Sequence, residues 1–292
     1  MRSSYKNSGE RVLWWIVIGL CLPFPSLWGQ RVQGVDASYW QGNMDWSKTY
    51  DAGARFAFVR SSRGQDFTDS SFQQNMSAIS NLTASGKPIL AGAYHYGIPS
   101  VGLTAASTTG QIQAHARTEA NHFISSAGNF MTAGWLRPVL DLEDGGGVLS
   151  RAQLSTWANS FMGHVHSQVG VEPLVYMNTN YSANMIDSSL ADRDLWIANY
   201  NSGNRYGDPL TSGSPPTGNI DDWAFWQYTN QGSGPTYGVD PKFNQYIDLN
   251  VANGDMNFVR SFVIPQSVPE ASSGLLLGGL TVWIACHRRR RG

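Results

Sequence analysis

The chain has 292 residues, with 20 Lys and Arg against 21 Asp and Glu and only two cysteines, Cys21 and Cys286. Residues 30–267 keep 13 of the basic and 19 of the acidic side chains, a net charge of −6, and an acidic body with no basic block excludes nucleic acid as a partner. Both cysteines lie in the terminal segments, so this body has no disulfide and must be held by its core, which a domain of this size can supply.

The N-terminal stretch has Arg2, Lys6 and Arg11 ahead of the apolar run Val12 to Phe24. That is the length of a signal-peptide core and short for a bilayer span. Gly29 offers a small residue for cleavage, so residues 1–29 read as a signal peptide. A first strand, Gly34 to Ser38, carries Asp36, and a second runs from Phe56 to Arg63 with Arg60 at the rim. A helix follows with Asp69 as its expected N-cap, Phe72, Met76, Ile79 and Leu82 on one face and Gly86 as its stop. The third strand, Pro88 to Tyr96, ends in Tyr94-His95-Tyr96, and a longer helix from Thr108 to Ser126 buries Ile112, Ala116, Ala120 and Phe123.

The run Arg137 to Asp144 then delivers Asp141 and Glu143 at alternate positions before Gly145-Gly146-Gly147. Side chains two apart on a strand share a face, so both acids point into one cavity and Leu142 into the packed side. Ser150-Arg151-Ala152-Gln153 is a capping box for a helix with Leu154, Trp157, Phe161 and Val165 as its stripe up to Gly170. Strands follow at Pro173 to Asn178, Leu195 to Tyr200, Ala224 to Tyr228 and Tyr246 to Asn250, the last of them without helices between. Alternating units that end in plain strands imply an α/β barrel, with residues 30–258 as one domain.

Residues 259–272 read as a linker and sorting motif containing Val268-Pro269-Glu270-Ala271, and residues 273–292 as a hydrophobic segment with the basic tail Arg288 to Arg291. Arginines behind an apolar segment hold that end in the cytoplasm and leave the domain outside, so the protein is expected in the cell envelope or beyond it. The tail resembles the PEP-CTERM sorting signal, which implies processing by an exosortase.

Glu143 is one of only five glutamates in the chain, and it sits in an apolar strand. Paired inward carboxyls are what glycosidic cleavage requires, one protonated as acid and one ionised beside it. Tyr94, Tyr96, Tyr176, Trp196 and Tyr228 lie near strand ends, where flat faces stack on sugars, and His95 between two tyrosines is assigned to the cleft. His115, His122, His164 and His166 are placed on solvated helix faces. No metal or cofactor is expected, because no carboxylates cluster at metal-ligand spacing around the histidines.

Gly34-Val35-Asp36 with Gln41-Gly42, Tyr94-His95-Tyr96, Leu140 to Asp144, Leu195 to Tyr200, Trp226-Gln227-Tyr228 and Asp248-Leu249-Asn250 together resemble glycoside hydrolase family 25, the lysozymes. The resemblance runs from Val32 to Val251 and implies an irregular (β/α)5(β)3 TIM-like barrel. It implies Glu143 as general acid, Asp141 as its assistant, and Asp36 and Asp248 as further substrate-binding acids. The implied activity is hydrolysis of the β-1,4 bond between N-acetylmuramic acid and N-acetylglucosamine in peptidoglycan glycan strands, by a monomer. The competing expectation is a catalytically weak or inactive glycan-binding protein on the same fold.

Overall fold

The computed structural model describes residues 30–266, so the signal peptide, the sorting motif and the hydrophobic tail lie outside the described residues. Five strands are each followed by a helix: β1 (Gln33–Ala37) by α1 (Trp46–Asp51), β2 (Phe56–Arg63) by α2 (Phe72–Ala84), and β4 (Leu90–Tyr96) by α3 (Thr109–Ala127). The same pattern continues with β5 (Val139–Asp141) and α4 (Arg151–Val169), then β6 (Leu174–Asn178) and the short α5 (Thr179–Asn184). β7 (Leu195–Ala198), β8 (Trp223–Ser233) and β9 (Tyr246–Ala252) complete the sheet without α-helices between them, and α6 (Met256–Ser261) ends it. A two-residue strand, β3 (Phe67–Thr68), is a flap paired only with the end of β2.

Pairing runs β1-β9-β8-β7-β6-β5-β4-β2, and β1 pairs again with β2, which closes an eight-stranded barrel. All neighbours are parallel except β9, which runs antiparallel to both β8 and β1. This is the (β/α)5(β)3 barrel expected from the sequence.

Period-two alternation divides each strand between two cores. Facing inward, Phe56, Phe58, Val139, Leu174, Trp196 and Phe225 form one buried cluster, sealed from below by Val259 and Phe262 at α6. Each such ring or branched chain stabilises the fold by about 1.5–3 kcal/mol. Gly34 faces the same interior, where a Cβ would stand 2.5 Å from the Phe56 ring, so only glycine lets β1 and β2 approach here. Facing outward, Val35, Val59, Leu140 and Ile197 join the inner faces of the helices in the second, larger cluster.

Local signals set the helices. Thr108 and Ser150 both form capping boxes, with Gln111 and Gln153, and Gly170 ends α4 in the left-handed conformation at φ 83°. Asp69 is not the N-cap of α2; Ser71 holds that position. One Asp69 oxygen accepts from the Ser71 amide and hydroxyl, and the other turns to the barrel mouth. The folded body also continues past the expected boundary at 258. Ile264 N donates to Trp135 O at 2.8 Å, and the Phe262 ring packs 5.1 Å from Phe225, because the barrel floor needs α6 as its plug.

Candidate active site

Towards the carboxyl ends of the strands the inward side chains change from apolar to charged. Asp36 stands beyond Gly34 on β1, Arg60 beyond Phe58 on β2, Asp141 beyond Val139 on β5, and Asp248 enters from β9 directly opposite Asp36. With Glu143, Tyr96 and others they line a cleft of about 410 Å³ at the barrel mouth. A barrel mouth built from strand ends and the loops after them is where this architecture keeps its chemistry.

Asp141 and Glu143 open to that same cleft, while Leu142 between them is fully buried on the packed side. Asp141 ends the strand, and its backbone carbonyl accepts from Gly97 N at 2.9 Å. Asp141 is 6% exposed, and among the described residues its Oδ1 has no hydrogen-bond partner. Glu143 sits one step further out, exposed at the lip, with its carboxyl beside that of Asp141.

Asp36 is held from below by two amides. Gln227 Nε2 donates to its Oδ2 at 3.0 Å and Asn250 Nδ2 at 2.8 Å. The amide oxygens are used as well: Tyr176 Oη donates to Gln227 at 3.0 Å, and Trp196 Nε1 donates to Asn250 at 2.8 Å. Both amides are therefore fixed in orientation, and Asp36 with them. Arg60, the cation of the mouth, is itself held, with Nε and Nη2 each 3.0 Å from Asp69 Oδ2.

Desolvation in the cleft raises the proton affinity of all four acids. Asp248 is pushed up to about 9, by desolvation first and the charge of Asp36 second. Asp36 is raised by desolvation, against the pull of Asn250 and Gln227. Asp141 is raised well above the carboxylate range by desolvation, then by Glu143 and Asp36, with Arg60 opposing. Glu143 is raised by desolvation, and the contact with Asp141 pulls it down. The expected split into one protonated and one ionised carboxyl needs correction, because Asp141 is raised as well as Glu143. The two carboxyls act on each other as one pair, and Glu143 is the member more open to the cleft.

The residues expected at the site divide cleanly. Asp36, Tyr94, Tyr96, Asp141, Glu143, Tyr176, Trp196 and Asp248 all line the cleft. Tyr94, Tyr176 and Trp196 form its floor, 8%, 7% and 1% exposed, so they shape it more than they offer faces to a ligand. His95 does not line it. Alternation that turns Tyr94 and Tyr96 inward turns His95 outward, where it is fully buried, with Nδ1 2.8 Å from Ser62 Oγ and Nε2 3.0 Å from Glu119 Oε2. His115 and His122 also turn inward: His115 Nδ1 lies 3.5 Å from Glu119 Oε1, and the Nε2 of His122 is buried.

Tyr228 likewise misses the cleft. β8 shifts register between Gln227 and Thr229, and the Tyr228 hydroxyl accepts from Gln33 Nε2 at 3.1 Å outside the barrel. Gln227, its neighbour, is the inward residue. The exposed rings at the rim are Trp40, Tyr200 and Tyr246, at 59%, 47% and 55% exposure. Position alone marks them, since Trp40 and Tyr200 follow strands β1 and β7 on the catalytic side.

A family model described as Glycosyl hydrolases family 25 matches residues 35–237. Lysozyme M1 of Streptomyces globisporus is 29% identical over 210 residues, covering 69% of this chain and 63% of that protein, so the chain spans less than two thirds of that relative's length. The bacterial lysozyme structure from Streptomyces coelicolor superposes with a TM-score of 0.62 at 24% identity, covering 80% of this chain and 98% of that one. A muramidase structure from Acremonium alcalophilum gives 0.59 at 26% identity, with coverage of 80% and 98%. The family match covers most of the folded body and contains the β5 acids, and on it the chain belongs to glycosyl hydrolase family 25.

Proposed function

We propose that the protein is an exported, monomeric muramidase that hydrolyses the β-1,4 bond between N-acetylmuramic acid and N-acetylglucosamine in peptidoglycan. The observation that carries this reading is the Asp141 and Glu143 carboxyl pair opening into a sugar-sized cleft with two further acids opposite. Lysozyme and muramidase relatives support the bond type. Export rests on the residues of 1–29, and exosortase processing on those of 267–292.

In this reading Glu143 gives the pair's proton to the glycosidic oxygen as the bond to the anomeric carbon breaks. Glu143 is left as a carboxylate, and Asp141, the ionised member from the start, orients the 2-acetamido group of the substrate, whose carbonyl oxygen attacks the anomeric carbon. Water then opens that intermediate and returns a proton to Glu143. Inverting hydrolysis by this pair needs its carboxyls about 6.5–9.5 Å apart to hold a water. The two carboxyls lie against each other at the end of one strand, which supports the substrate-assisted route.

The test is clearing of cell-wall suspensions with release of reducing ends. Glu143→Gln is expected to lose at least ~100-fold in rate with an unchanged thermal transition, because Glu143 is exposed. A variant that clears walls at near the parent rate overturns the assignment.

A further inference from the structure

A second recess of about 490 Å³ opens beside the cleft and shares Trp40 with it. Its walls are the loop after β1, bearing Tyr39 and Trp40, and the loop between β8 and β9, bearing Lys242 and Phe243. In the closed ring of eight strands β9 lies opposite β5. The recess therefore lies on the side of the mouth across from the strand that leads to Glu143.

Three observations show that it is built rather than a gap between loops. The Phe243 ring lies on Gly42, where a Cβ would come within 2.9 Å of it and where φ is +64°, so the two loops are seated on each other through a glycine. Tyr39 N donates to Asp69 Oδ2 at 2.9 Å, the Arg60 guanidinium stands 4.9 Å from the Tyr39 ring, and Tyr39 packs 4.4 Å from Trp40. The Lys242 loop is a hydrogen-bonded turn, with Lys242 N donating to Asp240 Oδ1 at 3.0 Å and Phe243 N to Asp240 O at 2.9 Å.

The chemistry of the recess is the reverse of the cleft's. The cleft gathers four acids, and its one arginine is already paired with Asp69. No acid lines the recess, and among the described residues Lys242 makes no ion pair, whereas Lys48 and Lys87 are paired with Asp45 and Asp51. Trp40 and Phe243, 59% and 60% exposed, offer ring faces on either side. A substituent that carries a carboxylate is attracted to this lysine.

We propose that this recess is an anion-reading subsite: Trp40 and Phe243 pack against a muramic-acid residue of the glycan, and Lys242 pairs with the carboxylate that residue carries. The carboxylate is that of the lactyl group itself or of a stem peptide attached through it. The proposal rests on the peptidoglycan reading above and adds to it a preference for substituted strands.

Binding is measured by calorimetry on the Glu143→Gln protein, with and without Lys242→Glu, so that turnover does not enter. The ligands are glycan strands with stem peptides, the same strands stripped to the free lactyl group, and chitooligosaccharides of equal length, which have no carboxylate. Lys242→Glu is expected to weaken the first two by about tenfold and to leave the third unchanged. The larger loss of the first two identifies the source of the carboxylate. Equal losses on all three ligands, or none on any, overturn the proposal. Failure of the muramidase reading looks different: no reducing ends are released by the parent enzyme, while the Lys242 binding difference persists.

Discussion

Two groups of ionisable side chains lie on opposite sides of the barrel wall at β4, and only one opens to a ligand. Inside the mouth stand Asp36, Asp141, Glu143 and Asp248. Outside, sealed between the wall and helices α3 and α4, stand Ser62, His95 and Glu119, with the His95 ring stacked 5.2 Å from Phe161. Desolvation raises the carboxyls of both groups, Asp248 to about 9 and Glu119 to about 7. A serine, a histidine and a glutamate in hydrogen-bonded series resemble a catalytic relay, yet no surface reaches them. A shifted proton affinity marks burial; access decides whether it serves chemistry.

The comparison breaks most sharply at Asp141. Asparagine has its shape and cannot take the pair's charge, so Asp141→Asn is expected to lower the rate on cell walls at least ~100-fold. It also removes a desolvated carboxyl whose Oδ1 has no partner among the described residues, so the thermal midpoint should hold or rise, as in other trades of stability for activity. Calorimetry beside a wall-clearing assay reads both. A variant that loses stability in step with activity would place Asp141 with Glu119 among the structural acids.

For the sealed group the readout is stability against pH. Glu119 has a folded value of about 7 against an ordinary 4.5, so the folded protein holds its proton more tightly than the unfolded chain. That contribution is full below the unfolded value and is lost as the pH rises through the folded one. His95 works in the opposite sense, since burial lowers its proton affinity and its cost appears as the pH falls below the ordinary 6.5. His115, His122 and Asp144 also act on Glu119. Glu119→Gln keeps the shape and leaves the histidines in place, so the difference between parent and variant isolates the carboxyl. Going from pH 4.5 to 7.5, the parent should lose about 3 kcal/mol relative to Glu119→Gln, a relative shift in Tm of roughly 8 °C. Parallel stability curves would show that Glu119 does not titrate in this range.

Much of this was legible from alternation, and the misses are errors of parity. Asp141-Leu142-Glu143 placed two acids in the mouth and a leucine in the packing, as observed. The same rule applied to Tyr94-His95-Tyr96 puts His95 behind the wall once both tyrosines are taken as inward. In Trp226-Gln227-Tyr228 the inward residue is Gln227, which composition disguises because its flanking rings look like sugar platforms. Gln227 and Asn250 became visible as supports of Asp36 only when the closed barrel brought β8, β9 and β1 together. No local pattern encodes that closure. Register shifts at Ser61 and Tyr228 add a second obstacle, since each extra residue resets the parity of the rest of its strand. Helix stripes and caps read well because their signals are local, except at Asp69, whose second oxygen is drawn away by Arg60 and the Tyr39 amide.

The smallest effect tests that parity directly. Tyr228 and Tyr176 are both near the ends of their strands, but the Tyr176 hydroxyl supports Gln227 at the cleft floor, whereas the Tyr228 hydroxyl meets Gln33 outside. Gln33 Nε2 also donates to the Tyr237 hydroxyl at 2.8 Å, so Tyr228→Phe leaves that amide with a partner. The expected cost is about 0.5–1 kcal/mol in chemical denaturation, with cell-wall kcat and KM both within about twofold of the parent, the range of a hydroxyl that touches no ligand. A rise of tenfold or more in KM at unchanged kcat would mean that the bulged ring swings into the groove when a glycan is bound. Tyr228 would then join Trp40, Tyr200 and Tyr246 at the rim.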